Sequence, residues 1–280
     1  MNNQSTRFTI FVCIIAVPVV LVIIPIANFF LMSFWKMESN QIVESVSFGN
    51  YLYFFSSPAY WGTFLSTLYL CLKVSAIGVL VGYPVAYFVW KRKGRIKYLL
   101  ILLLILPLFM SYIVKIYTMR TILDLSGILN KLLVAFHILE EPSRQFIYNQ
   151  TAILITMAVI FLPFVILPIF LSLERIPKNL VTASSDLGAG TLTTLRYVIL
   201  PLSLPGTVSG ALFTFVLALG DFVTPQMVGG PNGFTFGRVI WSQFGLAYNW
   251  PLGAALAVIL FATALMTIIA AGWASQQRKV

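Results

Sequence analysis

A chain of 280 residues that is 59% hydrophobic and only 9% charged cannot build the surface of a soluble domain, in which about 25% of residues carry charge. Its net charge of +10 does not mark a nucleic-acid binder, because the basic residues gather at the ends of apolar runs instead of forming a stripe interleaved with aromatics. Apolar stretches recur along the whole chain, which excludes a soluble protein with a single anchor and predicts a polytopic membrane protein.

Six runs are predicted to cross as helices, since backbone in lipid must satisfy its own polar groups and the runs lack the alternation of barrel strands. They are Phe8 to Phe34, Trp61 to Trp90, Tyr98 to Thr118, Tyr148 to Leu171, Leu202 to Thr224 and Leu252 to Trp273. The first follows Arg7 and is not followed by an obvious small-residue cleavage site, so it reads as a retained helix, with a cleaved signal peptide as the alternative. Cys13 and Cys71 fall inside spans as small buried hydrophobes, with no disulfide or metal site implied. Gly82, Pro84, Pro107, Pro163, Pro168, Gly210 and Gly220 predict kinks and close helix packing. No internal duplication is visible, so residues 1–280 are expected to form one transmembrane domain.

Arg7, the cluster Lys91, Arg92, Lys93, Arg95 and Lys97, the trio Arg175, Lys178 and Arg196, and the tail pair Arg278 and Lys279 fall on one side of the predicted spans. Under the positive-inside rule that side is cytoplasmic, and both termini lie there. The opposite loops hold Lys36, Glu38, Glu44, Arg120, Asp124, Lys131, Glu140, Glu141, Arg144 and Arg238.

Between the fourth and fifth spans, Asn179 to Pro205 reads NLVTASSDLGAGTLTTLRYVILPLSLP. Val181 to Leu187 is predicted as a short helix that Gly188 ends in a left-handed cap, and Thr191 as the cap of a second helix reaching Val198. This compact projection resembles the loop, residues 179–200, by which ABC importer permeases dock onto their ATPase. The pattern is Glu-Ala-Ala, three residues, Gly, nine residues, Ile, one residue, Leu-Pro. Thr182, Ala183 and Ser184 stand at the first three positions, Gly188 at the glycine, Val198 at the isoleucine, and Leu200 with Pro201 at the close. Thr182 replaces the glutamate and Ser184 the second alanine, so a contact of that glutamate does not carry over.

The resemblance implies an all-α membrane protein with the type I ABC importer permease fold, sited in a bacterial inner membrane. Val181, Thr182, Ala183, Ser184, Asp186, Leu187, Gly188 and Ala189 would meet the ATPase. The partners it implies are a second homologous permease, an ATPase dimer and an extracytoplasmic solute-binding protein, besides membrane lipid. No phosphate-cradling G-x-x-x-x-G-K-[ST] loop is present, so no enzymatic activity and no cofactor are expected of this chain. ATP and Mg would sit on the partner.

Gly220 to Pro231, GDFVTPQMVGGP, looks like the spermidine and putrescine permease branch. So do Ser111 to Lys115 with Tyr117, Arg120, Gly127, Leu129 and Asn130. Permeases for iron, thiamine, phosphonates and sulfate share parts of these motifs. A polyamine path should offer carboxylates and aromatic faces. Asp221, the only acidic residue within or at the end of a predicted span, is the candidate cation contact. Its alternative is a structural cap or a pair with Lys115. Phe222, Tyr117, Trp241 and Tyr248 are the candidate aromatic faces. Lys73 is read as snorkelling or pairing with a neighbouring subunit, and His137 has no companion ligands for a metal. A membrane enzyme would need a cluster of nucleophile, acid and base that is not apparent. A self-sufficient channel or ion-coupled carrier would have no need of the ATPase-docking segment.

Overall fold

The computed structural model describes residues 11, 14, 16, 17, 19–39, 41–231 and 233–276. Arg7, Cys13, Arg278 and Lys279 lie outside the described residues.

Helix α1, Val19–Met32, opens on a π-helical turn, Val19–Ile23. A two-stranded antiparallel hairpin follows, β1 (Lys36–Glu38) and β2 (Gln41–Val43), turning through Ser39 at φ 48°. Next come α2 (Gly49–Ser56) and α3 (Pro58–Lys91). Then α4 (Gly94–Ile105), α5 (Tyr112–Leu123), α6 (Ile128–Ala135) and α7 (Gln150–Glu174) lead to the short α8 (Lys178–Asp186). The remainder is α9 (Thr191–Gly220), α10 (Val223–Val228), α11 (Phe236–Gly245) and α12 (Trp250–Gln276).

Among the described residues, four helices are long and apolar enough to cross a membrane: α3, α7, α9 and residues Trp250–Trp273 of α12. The expected span Tyr98 to Thr118 is not one helix. Gly94–Phe109 and Tyr112–Ala135 meet at a bend of 100° and make at most a broken fifth crossing. The cause is local. Pro107 lacks the N–H an α-helix would use, Leu106–Phe109 tightens into a 3-10 turn, and Met110 and Ser111 are extended at ψ 144° and 137°. Of the first predicted run, the described residues show the shorter α1. Helix α7 runs past Leu171 to Glu174, so Asp221 is not the only acidic residue at the end of a span.

The chain forms two compact units. The smaller comprises Met1–Gly62 and Val239–Ala262. Its packing is aromatic: Phe54 is fully buried with its ring centroid 5.6 Å from that of Trp61, and Phe244 sits 5.6 Å from Phe29 and 6.1 Å from Trp250. Asn50 donates from Nδ2 to the carbonyls of Ser33 and Trp35, and Ser33 Oγ lies 2.7 Å from Tyr51 Oη, which tie the end of α1 to α2.

The larger unit comprises Thr63–Arg238 and Thr263–Val280, with α7 at its centre. Two glycine pairs, Gly78 with Gly82 on α3 and Gly206 with Gly210 on α9, face α7 in the small-xxx-small spacing that lets membrane helices approach closely. A Cβ on Gly78 or Gly82 would lie 3.0 or 3.1 Å from Val165 side-chain atoms, and one on Gly210 would lie 2.9 Å from the Val165 carbonyl oxygen. One on Gly206 would collide with Ser172 and the Pro168 carbonyl. Ser75 Oγ donates to the Ala211 carbonyl at 2.8 Å, and Tyr83 Oη meets Ser203 Oγ at 2.8 Å, so α3 and α9 are also bonded to each other. Ala86, Val89, Val165, Ile166, Ile169, Leu173 and Ile199 form the buried core beside these contacts. Pro163 and Pro168 lie within α7, and the helix continues through both.

Candidate functional site

Two places in the larger unit bring candidate residues together, one around α8 and one where α9 ends.

At α8, the helix begins three residues before the expected Val181 and ends in the expected way. Gly188 has φ +79°, its N–H donates to the Ser185 carbonyl at 2.9 Å, and the Ala189 N–H donates to the Ser184 carbonyl at 3.0 Å. This paired arrangement is a Schellman cap, whose left-handed residue favours glycine. The second helix is capped by Gly190 and not by Thr191, with no side-chain cap. It does not stop at Val198. Pro201 removes the N–H that would bond the Tyr197 carbonyl, the backbone widens into a π-helical turn over Leu195–Ile199, and the helix runs on to Gly220.

Ser184 and Thr194, both buried, hold the two helices together through a 2.7 Å hydroxyl bond. Thus the serine that departs from the motif's alanine has a partner of its own, ten residues on. Val181 packs half-buried against the core, whereas Thr182, Ala183, Asp186 and Leu187 point outward, Leu187 at 88% exposure. With the exposed Leu192 beyond the turn, these outward side chains are the exposed platform of α8.

At the end of α9, Asp221 is buried, 7% exposed, and its carboxylate is engaged on both oxygens. Oδ2 accepts from the Tyr112 hydroxyl at 2.5 Å, and Oδ1 accepts from the backbone N–H groups of Val223 at 3.0 Å and Thr224 at 3.1 Å. The last two hold the backbone at the start of α10, whose N-cap is Phe222, and three donors offset much of the cost of burying the charge. Thr224 Oγ1 lies 2.9 Å from Tyr112 Oη and completes the cluster. Lys115 lies with Nζ 5.6 Å from the Tyr112 ring centroid.

Asp221, Tyr112, Val223 and Lys115 border a cavity of about 450 Å³ lined also by Phe161, Phe164 and Phe222. Tyr112 stacks on Phe161 at 6.3 Å between centroids and 12° between planes, and Phe164 stands edge-on to Phe161. Of the five candidate path residues, Asp221 and Phe222 line the cavity. Tyr117, 53% exposed, lies about 140° around α5 from Tyr112. Trp241 and Tyr248 belong to the smaller unit. Sequence reasoning missed Tyr112, Thr224, Phe161 and Phe164 as site residues. Nothing local joins Tyr112 to a residue 109 positions away.

Two further hydrogen-bonded devices lie in the larger unit. Asn130 donates from Nδ2 to the carbonyls of Asp124 and Ser143 and accepts from the Ser143 N–H, closing the segment after α6. Arg238 donates from Nη1 to the Gly230 carbonyl at 2.8 Å, while Gly230, at φ +60°, sits so close to Tyr148 that a Cβ would lie 2.7 Å from it. Among the described residues no group of three or more His, Cys, Asp or Glu could hold a metal ion.

Residues 75–279 match the family described as binding-protein-dependent transport system inner membrane component. The chain is 32% identical over 270 residues to the spermidine/putrescine transport system permease protein PotB of Haemophilus influenzae, covering 96% of this chain and 93% of that one. It is 36% identical over 214 residues to the inner membrane ABC transporter permease protein YdcU of Escherichia coli, covering 72% and 68%. Among solved structures, a bacterial alginate ABC transporter in complex with an alginate pentasaccharide-bound periplasmic protein aligns at a TM-score of 0.74 with 15% identity, covering 98% of this chain and 95% of that one. The MetNI methionine ABC transporter, in an inward-facing conformation, aligns at 0.62 with 18% identity, covering 80% and 99%. Both likenesses speak to the fold.

Proposed function

This chain belongs to the binding-protein-dependent transport inner membrane components and is a permease subunit of an ABC importer, and from that premise we propose that its importer carries polyamines such as spermidine and putrescine. The observation that carries the substrate is the relationship to the spermidine/putrescine permease over nearly the full length of both chains. The cavity at the end of α9 supports it, with a carboxylate at its wall and the faces of Phe161, Phe164, Phe222 and Tyr112. Aromatic faces and carboxylates stabilise ammonium groups once water is stripped from them.

In this reading the α8 platform docks on a separate ATPase dimer, which binds ATP and Mg and supplies the hydrolysis. A second permease completes the path, and an extracytoplasmic binding protein delivers the solute. The basic loops, including Lys91 to Lys97, face the cytoplasm together with both termini. Closure of the ATPase moves α8, and the Schellman cap and the Ser184–Thr194 bond transmit that motion into α9. An ammonium group entering the cavity competes with the Tyr112 hydroxyl for Asp221 Oδ2.

A second reading has one observation in its favour. Lys115 shares the cavity while Asp221 is already engaged, which suits an anionic solute such as a phosphonate or sulfate. The deciding experiment is ATPase activity of the reconstituted importer with each solute presented on its binding protein. Stimulation by spermidine or putrescine supports the polyamine path, stimulation by an anion alone selects the second reading, and failure to assemble with any ATPase removes the coupling role.

A further inference from the structure

The loop joining α3 to α4 and the base of α8 enclose a cavity of about 460 Å³. Five cationic side chains line it, Lys91, Arg92, Lys93, Lys97 and Lys178, against one carboxylate, Glu174, which is bonded to Lys97 at 2.7 Å. The other four have no carboxylate partner among the described residues. Lys91 and Arg92 lie over the rings of Tyr87 and Phe88, at 4.8 and 4.2 Å, leaving their charge at the cavity rim.

Two helices begin at this cavity, α4 after Lys93 and α8 after Pro177. Neither has a side-chain cap or an acidic residue in its first turn. Their first N–H groups and positive dipole ends therefore add to the cationic field and favour an anion. The exposed Tyr98 stands at the rim, and Leu99, Leu102 and Leu103 continue from it along α4, each more than half exposed. A free phosphate would use none of that apolar strip, whereas the acyl chains of a phospholipid would cover it.

We propose that this cavity binds the phosphate of an anionic phospholipid, with the headgroup between the α3–α4 loop and Lys178 and the acyl chains along α4. A zwitterionic lipid would add a cationic group to an already cationic cavity, so an anionic glycerophospholipid is the class that fits. Lys178 opens α8, so the bound headgroup steadies the base of the platform assigned above to the ATPase; this consequence rests on that assignment, and the binding itself does not.

The test is phosphatidylglycerol binding to the purified full-length chain in phosphatidylcholine nanodiscs, read by native mass spectrometry. Each cation removed should weaken binding about fivefold, so Arg92→Gln with Lys93→Gln weakens it about twenty-five-fold, and Arg92→Lys with Lys93→Arg restores it. Equal phosphatidylglycerol binding by the glutamine variant and the original chain overturns the site. Displacement of the lipid by millimolar inorganic phosphate assigns the site to free phosphate and overturns the lipid. Unchanged lipid binding with loss of ATPase association marks the surface as a protein contact and also overturns it. Failure of the importer reading appears separately, as no ATPase association in any lipid.

Discussion

Gly188 isolates what the α8 cap contributes. A Cβ there would meet nothing within 4 Å, so substitution brings no collision, and the backbone at φ +79° is the whole cost. For alanine that cost is about 1–2 kcal/mol, which shifts the capped fraction of the loop about five- to thirtyfold. Asparagine tolerates the left-handed region, and Asp has nearly its shape with an added charge beside Leu187. Solute-stimulated ATPase activity and uptake in proteoliposomes should therefore fall in the order Gly, Asn, Ala, Val. Gly188→Asp should insert and assemble but fail to transport, and the difference between Asp and Asn measures the charge alone. Normal uptake by Gly188→Asp, or an asparagine variant as impaired as alanine, would refute the reasoning, because the first denies the docking surface and the second denies the cap.

Asp221→Asn keeps the side-chain shape and loses the charge. It should weaken the Tyr112 bond and lower stability by about 1–3 kcal/mol, measured by denaturant titration in detergent, and lower polyamine uptake; unchanged uptake at saturating binding protein removes it from the path. The double-mutant cycle of Ser184→Ala with Thr194→Val should give a coupling of about 0.5–1.5 kcal/mol, and a value near zero means the buried hydroxyl pair does not join α8 to α9. Gly206→Val forces a side chain against the Pro168 carbonyl and should cost about 1–3 kcal/mol or prevent accumulation. Gly62→Ala, with nothing within 4 Å, should be neutral or stabilising in the same denaturant titration.

The long helices were legible because a run such as Leu252 to Trp273 has only one way to satisfy its backbone in lipid. The α8 turn was legible too, since Gly188 stands where a left-handed residue ends the helix. Other features depend on what lies across space. The Gly78–Gly82 and Gly206–Gly210 spacings are visible in the chain, but that Gly78, Gly82 and Gly210 close on Val165 and Gly206 on Pro168 and Ser172 is not. Pro107 foretold a disturbance; the 100° bend also needed two extended residues after it. The β1–β2 hairpin carries little apolar patterning, with exposed residues on both strands, and gave no signal. Asp221 was found from its charge at membrane depth, while its hydrogen-bond partner Tyr112 came only with the fold.

Helix α9 has a consequence for distance. From the two-hydroxyl bond at Thr194 to Gly220, the residue before Asp221, its backbone is continuous over about 27 residues, a rod of about 40 Å, so that a tilt of about 5° at one end swings the other by about 3.5 Å. The Tyr112–Asp221 bond tolerates only a fraction of that swing. A lever of this length needs no chain of side-chain rearrangements between its ends: a small rotation at the platform is enough to make or break the hydrogen bond at the cavity wall.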